Sequence, residues 1–188
     1  MELESNENLL RVRFIPQVFT PEECRKISAL EGHSGPSLIS GFGLAEQRIR
    51  NSESTVVPPD ETTQWIADRL ISKLHEINNQ YYHFRLSMLS PVQIITYNEN
   101  GFYDWHIDMG GDQDLSSRKL SVVTFLSDPS EYQGGALKII GGTNAHAVPS
   151  QEQGTTVFFP SYLLHKVEPV RRGKRQTLVM WAHGPCFS

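Results

Sequence analysis

Only two cysteines, Cys24 and Cys186, occur in 188 residues, so at most one disulfide is available, and a chain of this size does not need a staple. Both read as free thiols in a reducing cytoplasm. No apolar run approaches the roughly 20 residues of a membrane span. The opening Met1-Glu2-Leu3-Glu4-Ser5-Asn6-Glu7 lacks a basic segment leading into an apolar one, which a secretory leader would need. Positive charge is scarce as well: 17 Lys+Arg stand against 21 Asp+Glu, a formal net charge of -4. No sequence-wide basic surface exists for phosphate backbones or anionic lipid, and neither nucleic acid nor membrane is expected as a partner. Repeats and low-complexity runs are also missing.

What remains is ordinary globular material, 38% hydrophobic and 20% charged, enough for a buried core and too little charge for a disordered chain. The length fits one domain over 1–188. Residues 9–15 alternate Leu10, Val12 and Phe14 with Arg11 and Arg13, which predicts a half-buried strand ending at Pro16. Thr20-Pro21-Glu22-Glu23 is a capping box with proline at the first helical position, and Cys24, Ile27 and Leu30 follow on one face. A first helix is expected over residues 21–30. Ile66, Leu70, Leu74 and Ile77 recur at helical spacing after Pro58-Pro59-Asp60, predicting a second helix over residues 60–79. From residue 84 onward the period changes to short β-rich runs at 92–97, 120–126, 136–140, 155–159 and 177–182. Strands without intervening helices point to an antiparallel sandwich or jelly roll, buttressed on one outer face by the two helices.

The chemistry-bearing residues begin at Phe102-Tyr103-Asp104-Trp105-His106-Ile107-Asp108. Residues i and i+2 of a strand share a face, so the His106 imidazole and the Asp108 carboxylate can converge on one point. Alone, H-x-D is weak, because a chain with seven histidines contains such a pair by chance. His165 ends the apolar run Phe158-Phe159-Pro160-Ser161-Tyr162-Leu163-Leu164, and two histidines with one carboxylate are the facial triad of non-haem Fe(II) sites. Ten residues further on, Arg175 follows a glycine-bearing turn. If the two strands pair, its guanidinium faces the same interior and can take a carboxylate through two hydrogen bonds. Otherwise Arg171, Arg172, Lys174 and Arg175 are a solvated charge cluster. Gly134-Gly135 and Gly141-Gly142 read as hairpin turns, His146 as part of a loop over residues 141–147, and Cys24 as a small core residue.

Taken together, these residues resemble the Fe(II)/2-oxoglutarate oxygenases of the prolyl 4-hydroxylase type, and within them the bacterial PKHD-type hydroxylases. Phe125-Leu126-Ser127-Asp128-Pro129 with Tyr132, Gly134-Gly135 and Leu137 is similar to one segment of that group. His165, Val167, Pro169-Val170, Gly173 and Arg175 are similar to another. The resemblance covers residues 91–181; residues 1–90 carry no motif of the family. It implies a double-stranded β-helix core over 91–183, with 1–90 as supporting helices and strands. It implies His106, Asp108 and His165 as metal and catalytic residues, and Arg175 and Tyr97 as 2-oxoglutarate-binding. Gln93, Tyr103 and Trp181 match positions around the substrate. The implied cofactors are Fe(II), 2-oxoglutarate and O2, with ascorbate as a further candidate reductant of oxidised iron. The carboxylate of Asp108 implies hydroxylation, since halogenating relatives have a small residue there.

Three functions stay open on this reading. The first is hydroxylation of an amino acid residue, prolyl in type, in a peptide or protein, with release of succinate and CO2. The second keeps the reaction but takes a free amino acid or small natural-product intermediate. The third is a non-catalytic module that binds metal or 2-oxoglutarate. Substrate, hydroxylated carbon and oligomeric state are not legible.

Overall fold

A computed structural model of the chain describes residues 5–37, 48–110, 113–141, 144–147 and 150–186. Strands β1 (Arg13–Ile15), β2 (His33–Pro36), β3 (Arg50–Asn51), β4 (Glu53–Val56), β5 (Met88–Leu89), β6 (Gln93–Tyr97) and β7 (Phe102–His106) occupy the first part of the chain. The second part carries β8 (Arg118–Phe125), β9 (Tyr132–Gly134), β10 (Leu137–Gly141), β11 (Asn144–Ala147), β12 (Thr156–Pro160), β13 (His165–Val167), β14 (Val170–Gly173) and β15 (Arg175–His183). The helices are α1 (Pro21–Ser28), α2 (Gln64–Ile77) and the short α3 (Gln113–Ser116).

Two antiparallel sheets make the body of a jelly roll. The larger runs β1-β12-β8-β15-β6-β4-β2, with β5 added to β15, and the smaller runs β11-β10-β13-β7-β3. Period 2 along the strands separates two apolar layers. Leu178, Met180 and Ala182 of β15, Leu120 and Val122 of β8 and Phe158 of β12 face outward to meet Cys24 and Ile27 of α1 and Ile66, Leu70 and Leu74 of α2. The alternate residues Val179 and Trp181, Val123 and Phe125, and Val157 and Phe159 face inward against Leu137, Ile139 and Val167 of the smaller sheet. Strands β8, β12 and β15 are therefore buried on both faces, which is why they read as nearly continuous apolar runs.

Both helices form where expected. Thr20 accepts from the Glu23 amide at 3.2 Å while the Glu23 carboxylate accepts from the Thr20 amide at 2.9 Å, closing the capping box at the start of α1. Helix α2 starts later than its apolar period suggests. The Asp60 carboxylate takes the Thr62 and Thr63 amides at 2.8 and 3.2 Å, and this Asx turn holds residues 60–63 short of the helix. Each buried α2 aliphatic contributes about 1.5–3 kcal/mol.

Three expectations need correction. The strand over 9–15 shortens to Arg13–Ile15, because Asn6 accepts from the Asn8 amide at 2.9 Å and caps a 3-10 turn, Glu7–Leu10. Residues 141–147 are not simply a loop, since Asn144–Ala147 pairs with β10; the side chain of His146 lies outside the described residues. The half beyond residue 84 is not purely strand, as α3 interrupts it, and strands from residues 1–90 enter both sheets. Both cysteines are free, Cys24 buried and Cys186 exposed. No helix among the described residues is long and apolar enough to cross a membrane.

Candidate metal and cosubstrate site

His106 closes β7 and His165 opens β13, and the two are direct partners in the antiparallel ladder. Their rings lie 4.0 Å apart, centroid to centroid. Asp108 sits two residues beyond the end of β7. Its Oδ1 is 3.6 Å from His106 Nε2 and its Oδ2 is 3.5 Å from His165 Nε2. The ligand-capable atoms of the three residues all lie within 4.8 Å of one another, a spacing that one metal ion can bridge.

Each imidazole is locked for this task. His106 Nδ1 lies 2.7 Å from the Asp104 carbonyl and His165 Nδ1 lies 2.9 Å from the Leu163 carbonyl. A carbonyl can only accept, so each Nδ1 carries the proton and each Nε2 lone pair faces Asp108. Burial lowers the His165 pKa to about 4, keeping it neutral and able to ligate. Burial alone would raise the Asp108 carboxyl, but the charges that His165 and His106 carry when protonated, with hydrogen bonds from His106 and the Ser121 hydroxyl, outweigh it and hold the group well below the usual carboxylate range.

A β-bulge shapes the wall beside the triad. From His165 to Val167 the partner positions run from His106 to Tyr103, three residues against two. The extra residue lets Tyr103 and His106, which would face opposite ways in a regular strand, share the inner face. Their rings stack with centroids 3.4 Å apart and planes 12° from parallel. Arg50 covers the outer face of Tyr103 with its guanidinium carbon 4.5 Å from the ring centre.

Arg175 opens β15 as the ladder partner of Tyr97 on β6. It is not on a strand paired with that of His165, as the sequence reading supposed; β13 and β15 belong to different sheets. The Arg175 side chain is 1% exposed, and its Nε and Nη1 have no hydrogen-bond partner. Burial lowers its pKa, with Tyr97 and a hydrogen bond to Tyr132 acting the other way. Room for the guanidinium comes from Gly135, at φ +65°, where a Cβ would stand 2.7 Å from Arg175 Cδ. A buried cation with open donors costs several kcal/mol unless an anion meets it, so these residues fit a carboxylate-bearing cosubstrate. Together with two imidazole Nε2 atoms and a carboxylate, they also fit Fe(II) beside it.

The three positions matched to substrate contacts line the same interior. Gln93 Oε1 accepts from the Ser54 hydroxyl at 2.9 Å. Tyr103 stacks on His106 as described. Trp181 is the ladder partner of Ser121, its buried Nε1 lacks an acceptor, and the Arg118 guanidinium lies 3.9 Å above its ring. Sequence reasoning missed Ser121, Ser161, Tyr132, Arg50 and Arg118. Of these only Tyr132 carried a signal, as part of the Tyr132-x-Gly134-Gly135 segment.

A family model described as the 2OG-Fe(II) oxygenase superfamily matches residues 92–183. A PKHD-type hydroxylase of Pseudomonas paraeruginosa is 37% identical over 179 residues, covering 89% of this chain and 76% of the relative. One of Stutzerimonas stutzeri is 34% identical over 174 residues with the same coverage. Among solved structures, a prolyl-4-hydroxylase of Pseudomonas putida superposes with a TM-score of 0.70 at 22% identity, covering 93% of this chain and 92% of that one. A prolyl hydroxylase of Trichoplax adhaerens, in complex with a peptide fragment of hypoxia inducible factor, gives 0.76 at 16% identity, covering 94% and 84%. At such identities the structural likeness speaks for the fold.

Proposed function

The chain belongs to the 2OG-Fe(II) oxygenase superfamily, as an enzyme related to the PKHD-type hydroxylases with Fe(II), 2-oxoglutarate and O2 as its cofactors, and from that membership we propose that it hydroxylates an amino acid residue of prolyl type in a peptide or protein. The observation that carries the reading is the fully buried Arg175, whose Nε and Nη1 have no hydrogen-bond partner, in a chain that also brings His106, Asp108 and His165 together. Bound there, Fe(II) would let O2 act as the oxidant and 2-oxoglutarate as the two-electron reductant, one oxygen atom of O2 converting an unactivated C–H bond to C–OH and the other entering succinate, with CO2 released.

The residues divide the work. His106 Nε2, Asp108 and His165 Nε2 would hold the metal. Arg175, with Tyr97 and Tyr132 beside it, would receive the distal carboxylate of the cosubstrate. Val123, Phe125, Val157 and Phe159 wall the interior and exclude water. Burial pushes the Tyr103 hydroxyl up to about 12, so it stays a neutral phenol at the rim. The unpaired Trp181 Nε1 supports a substrate that brings a hydrogen-bond acceptor to this place, such as the amide carbonyl of a peptide.

Succinate formation with 2-oxoglutarate and Fe(II), measured against proline-containing peptides and free amino acids, tests the proposal. Stimulation by peptides is expected. Stimulation by free amino acids alone would move the substrate to the small-molecule class.

A further inference from the structure

Asp108 lies beyond the end of its strand, and no ladder partner fixes it. What does fix it is a pair of fully buried serines on two other elements. The backbone carbonyl of Ser161, in the turn after β12, accepts from the Asp108 and Met109 amides at 2.9 and 3.0 Å. The Ser161 hydroxyl lies 2.9 Å from the Ser121 hydroxyl on β8, and Ser121 Oγ lies 2.6 Å from Asp108 Oδ2. Both serines are 0% exposed, so no solvent competes for these bonds.

The direction of the chain follows from elementary chemistry. The Asp108 carboxylate only accepts, so Ser121 must donate to it; Ser121 then accepts from Ser161, which is left as the terminal donor. Successive hydroxyls polarise one another in such a chain, and a charged acceptor at its end shortens the last bond. One lone pair of Oδ2 is thereby committed to a short hydrogen bond, while Oδ1, 3.6 Å from His106 Nε2, keeps both of its own and is the better metal ligand.

We propose that Ser161 and Ser121 form a two-hydroxyl relay that positions Asp108 and restricts it to one metal-ligating oxygen. Both are positioning residues acting through Asp108. The inference rests on the metal-site reading above. A carboxylate that could turn to offer both oxygens would take a further coordination position, one that the cosubstrate and oxygen require. The relay gives a reason for two fully buried serines beside Asp108.

The test uses the full-length protein and Mn(II) alone, with affinity read from the free-ion EPR signal, and Co(II) visible absorption as a report of coordination. Wild type binds. Ser121→Ala is expected to weaken Mn(II) by about 10–100-fold and to change the Co(II) spectrum. Ser161→Ala is expected to weaken it less, and adding it to Ser121→Ala should cost nothing more, because the relay is already cut. Unchanged affinity in Ser121→Ala, or losses that simply add, would overturn the relay. Should Ser121→Ala fail to fold, Ser161→Ala decides alone, with unchanged affinity and spectrum counting against the proposal. A wild type that bound no metal would instead remove the site reading itself.

Discussion

His106 and His165 face each other across one rung of the β7–β13 ladder, ring centroids 4.0 Å apart. That single pairing brings together residues separated by more than fifty positions in the chain. Register in a buried sheet is set by the inward and outward alternation of its strands, so the site's geometry is inherited from the core. A slip of one residue would turn one histidine away from the other.

Arg175→Ala is expected to weaken 2-oxoglutarate while leaving Fe(II) affinity nearly unchanged. Removing a buried charge partner costs about 2–5 kcal/mol, which is about 30-fold or more in affinity. Isothermal titration with each ligand separately checks this. Equal loss of iron would show that Arg175 supports the fold and not the cosubstrate.

Gly135→Ala reaches the same group from another direction. Its Cβ would stand 2.7 Å from Arg175 Cδ at a φ of +65°, so the guanidinium must move. The variant should bind iron normally and 2-oxoglutarate more weakly, with a modest fall in thermal midpoint. Unaltered cosubstrate binding would mean that the arginine has slack.

Tyr103 tests the stack on His106. Tyr103→Phe keeps the ring and should keep metal affinity within about twofold, whereas Tyr103→Leu loses an aromatic contact of about 0.5–1.5 kcal/mol, or about 2- to 12-fold. A loss in Tyr103→Phe as large as in Tyr103→Leu would assign the effect to the hydroxyl.

Cys24 gives a pH prediction. Burial raises its thiol to about 11 from an ordinary 9.0, so the folded state favours the protonated form. This contribution is fully present below pH 9 and is lost as pH rises through 11. At pH 8 an alkylating reagent should label Cys186 and spare Cys24, as mass spectrometry would show. Above pH 9 the wild type should lose thermal stability faster than Cys24→Ala does.

Much of this was legible in the sequence because the residues concerned speak locally. The capping box, the apolar period of α2 and the runs of β8, β12 and β15 each specify their element within a few residues. Type and spacing singled out the triad, which the fold brings together, and drew attention to Arg175, which it buries. Other features depend on register and were silent. Nothing in Tyr103-Asp104-Trp105-His106 announces a bulge, yet the bulge decides that Tyr103 stacks on His106. Ser121 sits inside an apolar run, and its place beside the triad exists only because Ser161 and Asp108 arrive next to it. The short strands β2, β3 and β4 are too polar and brief to show a period, and the pairing of His165 with Arg175 was misplaced because spacing cannot tell neighbouring strands from opposed sheets.

The central claim, that His106, Asp108 and His165 hold iron beside a 2-oxoglutarate fixed by Arg175, is tested most directly by anaerobic titration of the metal-free protein. Fe(II) and 2-oxoglutarate are added together, and the visible charge-transfer band of the chelate is followed in wild type and Asp108→Ala. A saturable band is expected in wild type and its loss in Asp108→Ala. Iron binding without a band in wild type, or a band undiminished in Asp108→Ala, would contradict it.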